Sequence, residues 1–541
     1  MPEYLSPGVY VEEVPSGPRP IEGVGTSTAG VVGLTERGPT TPRLITNWGQ
    51  YRRWYGDVIP IATSFTPFAI RGFFENGGVR LFVARVTRED AALAHLELAT
   101  ESNDQKLKVE AVGMGEWGNR LYVRVSAGSR TDSAGKAVGF RLTLLYFRTK
   151  PNPFVDPLDP DNLGKPNRID PDVIEDYDDL SADPLDANYV LMRVNSSSTL
   201  IHVDYADEKK PSAAPKVDAT PKFAPLANGV DGDAKMTAPQ YEGDPSLAPN
   251  QRTGLAALEA IDEVALLFAP DEVHPALDAG NQTQLMNTLV SQCERLADRF
   301  AVLSVPGAQG QVDKINPPRD TSYAAIYYPW IRVFDPYTRD TVLVPPAGHV
   351  AGIYARSDRE RGVHKAPANE VVRDIITRDI NATRKPLEFT LARGDQDILN
   401  PRGINVIRDF RADRRGIRVW GARTLSSDPL WRYVNVRRLF NYVKESVDEG
   451  TQWVVFEPND EETWARVRQS VSDFLKLVWR SGALFGETEE QAYFVRCGAE
   501  TMTPADIDAG RLIVEVGIAP VKPAEFVIIR FQQKLTELAS A

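Results

Sequence analysis

The stretch "SPGVYVEEVPSGPRP" near the N-terminus limits the fold of this chain more than any other, because it describes a strand with nothing local to pair with. Val9 and Val11 alternate with Tyr10 and Glu12, the period of two of a β-strand, and Pro7-Gly8 and Pro15 fence the run. No hairpin turn follows, and the proline-marked connector leads away in extended form. A lone strand leaves a row of N–H and C=O groups unpaired and is not stable by itself. Either it returns to a sheet of its own chain or it is donated to another chain. The far end poses the same question. In "PAEFVIIRF", Phe526, Ile528 and Arg530 alternate with Val527, Ile529 and Phe531 behind Pro523. The chain thus carries two candidate donor arms.

Between the arms the pattern is that of a layered α/β protein. "TAGVVGLTERGP" predicts a buried strand, "SFTPFAIRGFFENGG" a helix capped by Ser64 and stopped by Gly77 and Gly78, and "VRLFVARV" the next strand. From about residue 87 to 222 the character changes. "LKVEAVG", "NRLYVRVSAG", "GFRLTLLYF" and "NYVLMRVNS" alternate like antiparallel strands, and residues of about 148–188 are dense in Pro and Asp. That Pro/Asp-rich stretch is expected to be a solvated excursion, having too few apolar residues to offset its ordering entropy. The α/β rhythm then returns. Helices are predicted over "TGLAALEAIDEV" (capped by Thr253), "QTQLMNTLVSQCERLADRF" and "WRYVNVRRLFNYVKESV", with strands over "VALLFAP", "AVLSVP" and "QWVVFEP". The clearest helix follows Asn459 or Asp460, where Trp464, Val467, Val471, Phe474, Leu475 and Val478 recur at spacings of three and four. "QAYFVRCG" and "GRLIVEVGIAP" close the chain as strands. The fold class is therefore α/β (α+β) and multidomain: a mixed-sheet core built from N-terminal and C-terminal parts, a β-rich insert and extended terminal β-arms. The expected division is an arm over 1–20, a first core part over 21–88, the insert over 89–222, the main core over 223–522 and a strand arm over 523–541.

Composition narrows the function. A length of 541 residues exceeds one ordinary core, and the 42% hydrophobic and 25% charged residues are those of a folded chain. A net charge of −12 argues against a general nucleic-acid binder. No signal-peptide pattern and no apolar run of membrane-spanning length is read, so direct membrane insertion is not expected. Cys293 and Cys497 are too few for a disulfide framework, and Cys293 reads as a buried helix-face thiol. "GMGEWG" over residues 113–118 matches G-x-G-x-x-G but precedes a strand, so it reads as a turn and not as a dinucleotide site. The five histidines (His95, His202, His274, His349, His364) form no i,i+4 pair, and the acidic run 156–161 lacks the glycine and glutamate of an EF-hand. No catalytic, cofactor-binding or metal-binding residue is assigned.

What stands out instead are stretches dense in Arg, Trp, Pro and Gly: "YYPWIRVFDP", "VPPAGHVAGIYARSDRERGVHKAPANE", "GIRVWGARTL", "WRYVNVRRLFNYV" and "FEPND". Two readings stay open, a Trp-packed core with surface ion pairs, or charged subunit interfaces in which arginine forks meet a neighbour's carboxylates. Arg356, Arg359, Arg361, Arg437 and Arg438 are the candidates for the second.

These stretches, with "SPGVYVEEV", "GVVGLTERGP", "GVDGD", "GINVIRDF", "GALFGET" and "GIAPVKPAEFVIIRF", resemble the contractile tail sheath family of bacteriophages and related tail-like injection particles. The resemblance covers the first roughly eighty residues and nearly everything from Gly229 onward. It implies a structural subunit, not an enzyme, that needs no cofactor. Such subunits stack as hexameric rings around an inner tube, meet baseplate and terminal cap proteins, and contract to drive the tube through a target envelope. It also implies that the arms around Val9, Tyr10, Val11 and Glu12 and around Phe526, Val527, Ile528, Ile529 and Phe531 add strands to neighbouring subunits. Assembly would take place in the producer cell's cytoplasm, as part of a phage tail or a tail-like particle. The competing expectations are a soluble α/β enzyme whose site is assembled from distant residues such as His349 and His364, and another structural ring or baseplate component.

Overall fold

Six parallel strands run through the middle of a nine-stranded sheet, and that sheet organises most of the chain. In order across it lie Glu370–Val371, Ile417–Val419, Ile404–Asp409, Ala324–Tyr328, Phe300–Ser304, Leu266–Phe268, Ala29–Gly33, Leu81–Arg85 and Arg43–Ile45. Only the edges are antiparallel: Arg43–Ile45 against Leu81–Arg85 at one side, and Ile404–Asp409, Ile417–Val419 and Glu370–Val371 at the other. The computed structural model describes residues 20–102, 104–135, 137–307, 310–376 and 385–530. Parallel pairing needs crossover connections, and the helix Ala279–Leu296 supplies one between Leu266–Phe268 and Phe300–Ser304. The central strands AGVVG, FAVLS and AAIYY are buried at every position, as a sheet covered on both faces requires.

The chain separates into two compact units. Among the described residues, the larger comprises Thr26–Arg356 and Ala368–Ser426; the smaller comprises those up to Gly25, Ser357–Pro367 and those from Ser427 onward. In the larger unit, Leu258, Leu267, Leu289, Leu303, Ile326 and Val406 belong to one core, in which Cys293 is fully buried. The helix Thr66–Glu75 is ended by Asn76 and by Gly77, whose φ of 103° is left-handed backbone that a glycine adopts without strain.

Two small antiparallel sheets fill the chain between Leu81–Arg85 and Leu266–Phe268. One joins Ala224–Pro225, Leu121–Ala127, Phe140–Tyr146 and Val173–Leu180; the other joins His95–Ala99, Lys106–Ala111 and Ile201–Tyr205. They share a core of their own around Trp117, Leu142, Val194 and Val203. The protein is thus a mixed α/β molecule with one large mixed sheet and several small antiparallel ones.

Several segments depart from the expectations above. "NYVLMRVNS" forms the helix Val190–Ser197, not a strand, because Val190 and Val194 (i, i+4) are its buried positions. "QWVVFEP" is a single 3-10 turn, Gln452–Val454, at the end of a long helix, and Val455 and Phe456 beyond it are exposed. The Pro/Asp-rich stretch is no mere excursion, since Val173–Leu180 within it pairs antiparallel with Phe140–Tyr146. Its carboxylates find partners in place of apolar burial: Asp176 accepts from Arg141 Nε at 2.9 Å, and Glu175 accepts from the Thr199 amide and hydroxyl at 2.9 and 2.7 Å. "GMGEWG", in contrast, is as expected: it leads into the 3-10 turn Glu116–Arg120 and then the strand Leu121–Ala127, not into an α-helix.

Candidate assembly interface

The smaller unit is built on two long amphipathic helices. Val434–Thr451 buries Val436, Leu439 and Val443; Glu461–Arg480 buries Trp464, Val467, Val471, Phe474, Leu475 and Val478, the whole stripe read from spacing. Asp460 is the N-cap of the second, its carboxylate accepting from the Thr463 amide, and Glu461 and Glu462 lie in the first turn where the helix dipole favours them. Most of those side chains join one core with Leu439, Val443 and Ile21.

Against this core lies a sheet of only two strands, Tyr493–Arg496 antiparallel to Glu515–Ile518. Among the described residues neither strand has a second laddered partner, so each presents an outer row of backbone donors and acceptors. Past Ile518 the chain makes three further backbone bonds, Ala519 N–H to Ala492 O at 2.9 Å, Phe485 N–H to Ala519 O at 2.8 Å and Val521 N–H to Ala483 O at 3.2 Å. Then regular pairing stops. Phe526, Val527, Ile528 and Ile529 are 71, 79, 78 and 70% exposed and belong to no strand, although their alternation is that of one. Four large apolar side chains in a row in water form the kind of surface that folded chains cover. Phe531 and the N-terminal candidates Val9, Tyr10, Val11 and Glu12 lie outside the described residues.

The charged candidates divide. Arg356 is buried in the larger unit and donates to Asn76 O and Val371 O, both at 2.9 Å. In the smaller unit Arg438 donates to Asp358 Oδ1 at 2.9 Å, both side chains 3% exposed, and Arg437 stacks 3.6 Å over the Trp431 ring. These three are engaged inside the chain, because a buried guanidinium is held only where carbonyls, carboxylates or ring faces replace its water. Arg359 and Arg361 are exposed and face solvent. Spacing alone did not separate the two groups. Burial would have been the signal: in "YARSDRERG" Arg356 falls in the buried part of the helix Ala347–Arg361 and Arg359 and Arg361 in its exposed last turn, a boundary that spacing does not mark.

The alternative enzyme site gains no geometry. His349 belongs to the larger unit and His364 to the smaller. His349 is fully buried with Nε2 3.7 Å from Asp374 Oδ2, and a Cβ on Gly72 would stand 2.2 Å from its ring, so packed chain fills the surroundings. Burial would raise the Asp374 carboxyl, but His349 and Arg71 outweigh it and hold it below its ordinary value. Burial, and behind it Arg361, lowers the His364 imidazole. No group of three or more His, Cys, Asp and Glu suited to a metal occurs among the described residues.

Residues 234–425 match the model of the phage tail sheath protein central domain, and residues 426–534 that of the phage tail sheath C-terminal domain, together more than half the chain. A prophage major tail sheath protein of Pseudomonas aeruginosa is 24% identical over 296 residues, covering 51% of this chain and 68% of that one. The tail sheath protein of Escherichia phage P2 is 25% identical over 293 residues, covering 53% and 68%. In fold the chain is similar to the anti-feeding prophage helical sheath in its contracted state (TM-score 0.56, 23% identity, 98% and 99% of the two chains covered). It is also similar to the sheath tail protein Lin1278 of Listeria innocua (TM-score 0.56, 13% identity, 93% and 96% covered). With two adjoining domain models of one family matched in order over more than half its length, the chain belongs to the phage tail sheath protein family, whose members are structural, and is a contractile tail sheath subunit, not an enzyme.

Proposed function

We propose that the chain polymerises as stacked hexameric rings around an inner tube, and that neighbouring subunits are joined by strand addition from the two terminal arms. Contraction of the polymer then drives the tube through a target envelope, with a baseplate and a terminal cap as the remaining partners. A baseplate belongs to the particle of one similar structure, the anti-feeding prophage. In this reading residues 1–20 and 523–541 are the arms, 89–222 the β-rich insert, and 21–88 with 223–522 the core. Exposed Arg359 and Arg361 are the charged contacts to a neighbour.

The observation that carries the proposal is the exposed, unpaired Phe526–Ile529 run in the same unit as a two-stranded sheet with open edges. One is a run with a strand's alternation and no ladder, and the other a sheet short of strands. Three or four inter-chain backbone bonds contribute about 0.5–1.5 kcal/mol each, and each large side chain covered adds about 1.5–3 kcal/mol. Such a joint is modest singly and strong when repeated along a polymer. The test is deletion of residues 1–15. The truncated chain is expected to keep its circular dichroism and melting temperature but to form no hollow cylinders in negative-stain images. Normal cylinders from that truncation would refute arm donation.

A further inference from the structure

Two segments of the smaller unit, one toward each end of the chain, lean on one helix. On the N-terminal side, Ile21 is 5% exposed and packs in the core with Leu439 and Val443. The Val24 amide donates to Ser446 Oγ at 3.1 Å, and that hydroxyl donates in turn to Tyr442 O at 2.7 Å. Gly23 passes so close that a Cβ there would stand 2.1 Å from Tyr442 Oη and 3.0 Å from Cζ. A Cβ on Gly450 would likewise meet Ile21 Cγ2 at 2.6 Å. Residue 24 lies beside 446 and residue 21 beside 450, so the segment runs antiparallel to the helix Val434–Thr451 and is clamped toward its C-terminal end.

On the C-terminal side the contacts fall at the opposite end. Asn435 Nδ2 donates to Val521 O at 3.1 Å and to His364 O at 2.8 Å, and the Tyr433 hydroxyl donates to Glu525 Oε2 at 3.1 Å. The exposed 526–529 run begins immediately beyond. Residues 435 and 450 are separated by about 22 Å along the axis at 1.5 Å per residue. Between them the buried Arg438–Asp358 pair ties the helix to segment Ser357–Pro367.

We infer that the Val434–Thr451 helix is the common anchor of both arms, the first arm leaving past its C-terminal end and the second past its N-terminal end. The inference rests on the strand-addition reading and specifies how it is held: two further copies of this chain are reached from two points on one rigid rod. An α-helix carries its hydrogen bonds along its axis and keeps its length, whereas an extended tether only follows its root. Load passed from one neighbouring copy to the other therefore travels along this helix, and Gly23, Ser446, Asn435 and Tyr433 are positioning residues for the joints.

The test is a suppression experiment in the full-length chain. Gly23→Ala places its methyl into the Tyr442 hydroxyl. It is expected to unseat the N-terminal segment, speed hydrogen exchange of the Val24 amide, and raise the concentration needed for cylinder formation about tenfold, the scale of one or two lost contacts. In Gly23→Ala/Tyr442→Phe the clashing oxygen is gone, and both exchange protection and assembly are expected to recover most of the loss. Gly23→Ala assembling like the parent chain, or a double variant no better than the single one, overturns the anchor. The strand-addition reading fails separately, by cylinders forming without residues 1–15.

Discussion

At the scale of single residues, the chemistry of this chain lies in buried charges that hold it together. Asp358 and Arg438 face each other at 3% exposure each, and removal of one takes this ion pair from a buried charge. Asp358→Asn is expected to lower stability by about 3–5 kcal/mol, read as a fall in the urea midpoint, whereas exchanging both for apolar residues of similar size restores much of the loss. Glu272 behaves differently. It is wholly buried, with Oε1 accepting from the Ser304 amide at 2.7 Å and Oε2 without a partner among the described residues. Burial raises its pKa well above the ordinary value, against the smaller opposing pull of that amide. A carboxyl whose folded pKa exceeds its unfolded one keeps its proton on folding, so stability falls as pH rises above the unfolded value. Glu272→Gln needs no such proton. Its melting temperature is expected to exceed the parent's by a margin that widens from about pH 5 to about pH 8, and a margin constant with pH would contradict the assignment. Neither residue could be singled out in the sequence, since in both cases burial, not residue type, creates the effect.

At the scale of elements, legibility follows periodicity. The helix Glu461–Arg480 was readable to its N-cap because six buried side chains repeat at helical spacing behind an acidic first turn. The strands Ala29–Gly33 and Phe300–Ser304 were readable as short apolar runs. Where alternation was ambiguous the reading failed: "NYVLMRVNS" packs as a helix on Ile201–Tyr205, and "QWVVFEP" pairs with no strand among the described residues. The strand Val173–Leu180 was missed for the opposite reason, because Arg141, Ser198 and Thr199 satisfy its acids from elsewhere in the chain. For the C-terminal run the alternation is present and the ladder is not. Ile528→Asp should therefore leave monomer stability within about 0.5 kcal/mol, since the side chain is already 78% exposed, yet abolish cylinders by placing a charge in the joint. A melting temperature that dropped by many degrees would instead place Ile528 in the core of its own chain.

At the scale of the whole molecule, two compact units with separate cores, and a β-rich insert with a third, imply that unfolding is not a single step. Calorimetry of the unassembled chain is expected to give a total enthalpy larger than the van't Hoff value, with at least two resolvable transitions. One sharp two-state transition would argue against independent units. The sequence by itself determined the class of the molecule: α/β layers, a β-rich interruption, no catalytic pattern, and at each end a strand-like alternation with no local partner. These follow from periodicity and turn chemistry, which act over a few residues and are written locally. Only the tertiary structure decided which arginines are buried, that the 526–529 run stays unpaired, that a two-stranded sheet is left open, and that residues 21–24 and 521–525 meet opposite ends of one helix. Those depend on contacts between residues far apart in the chain, 422 positions for Val24 and Ser446, and no local pattern encodes so distant a partner.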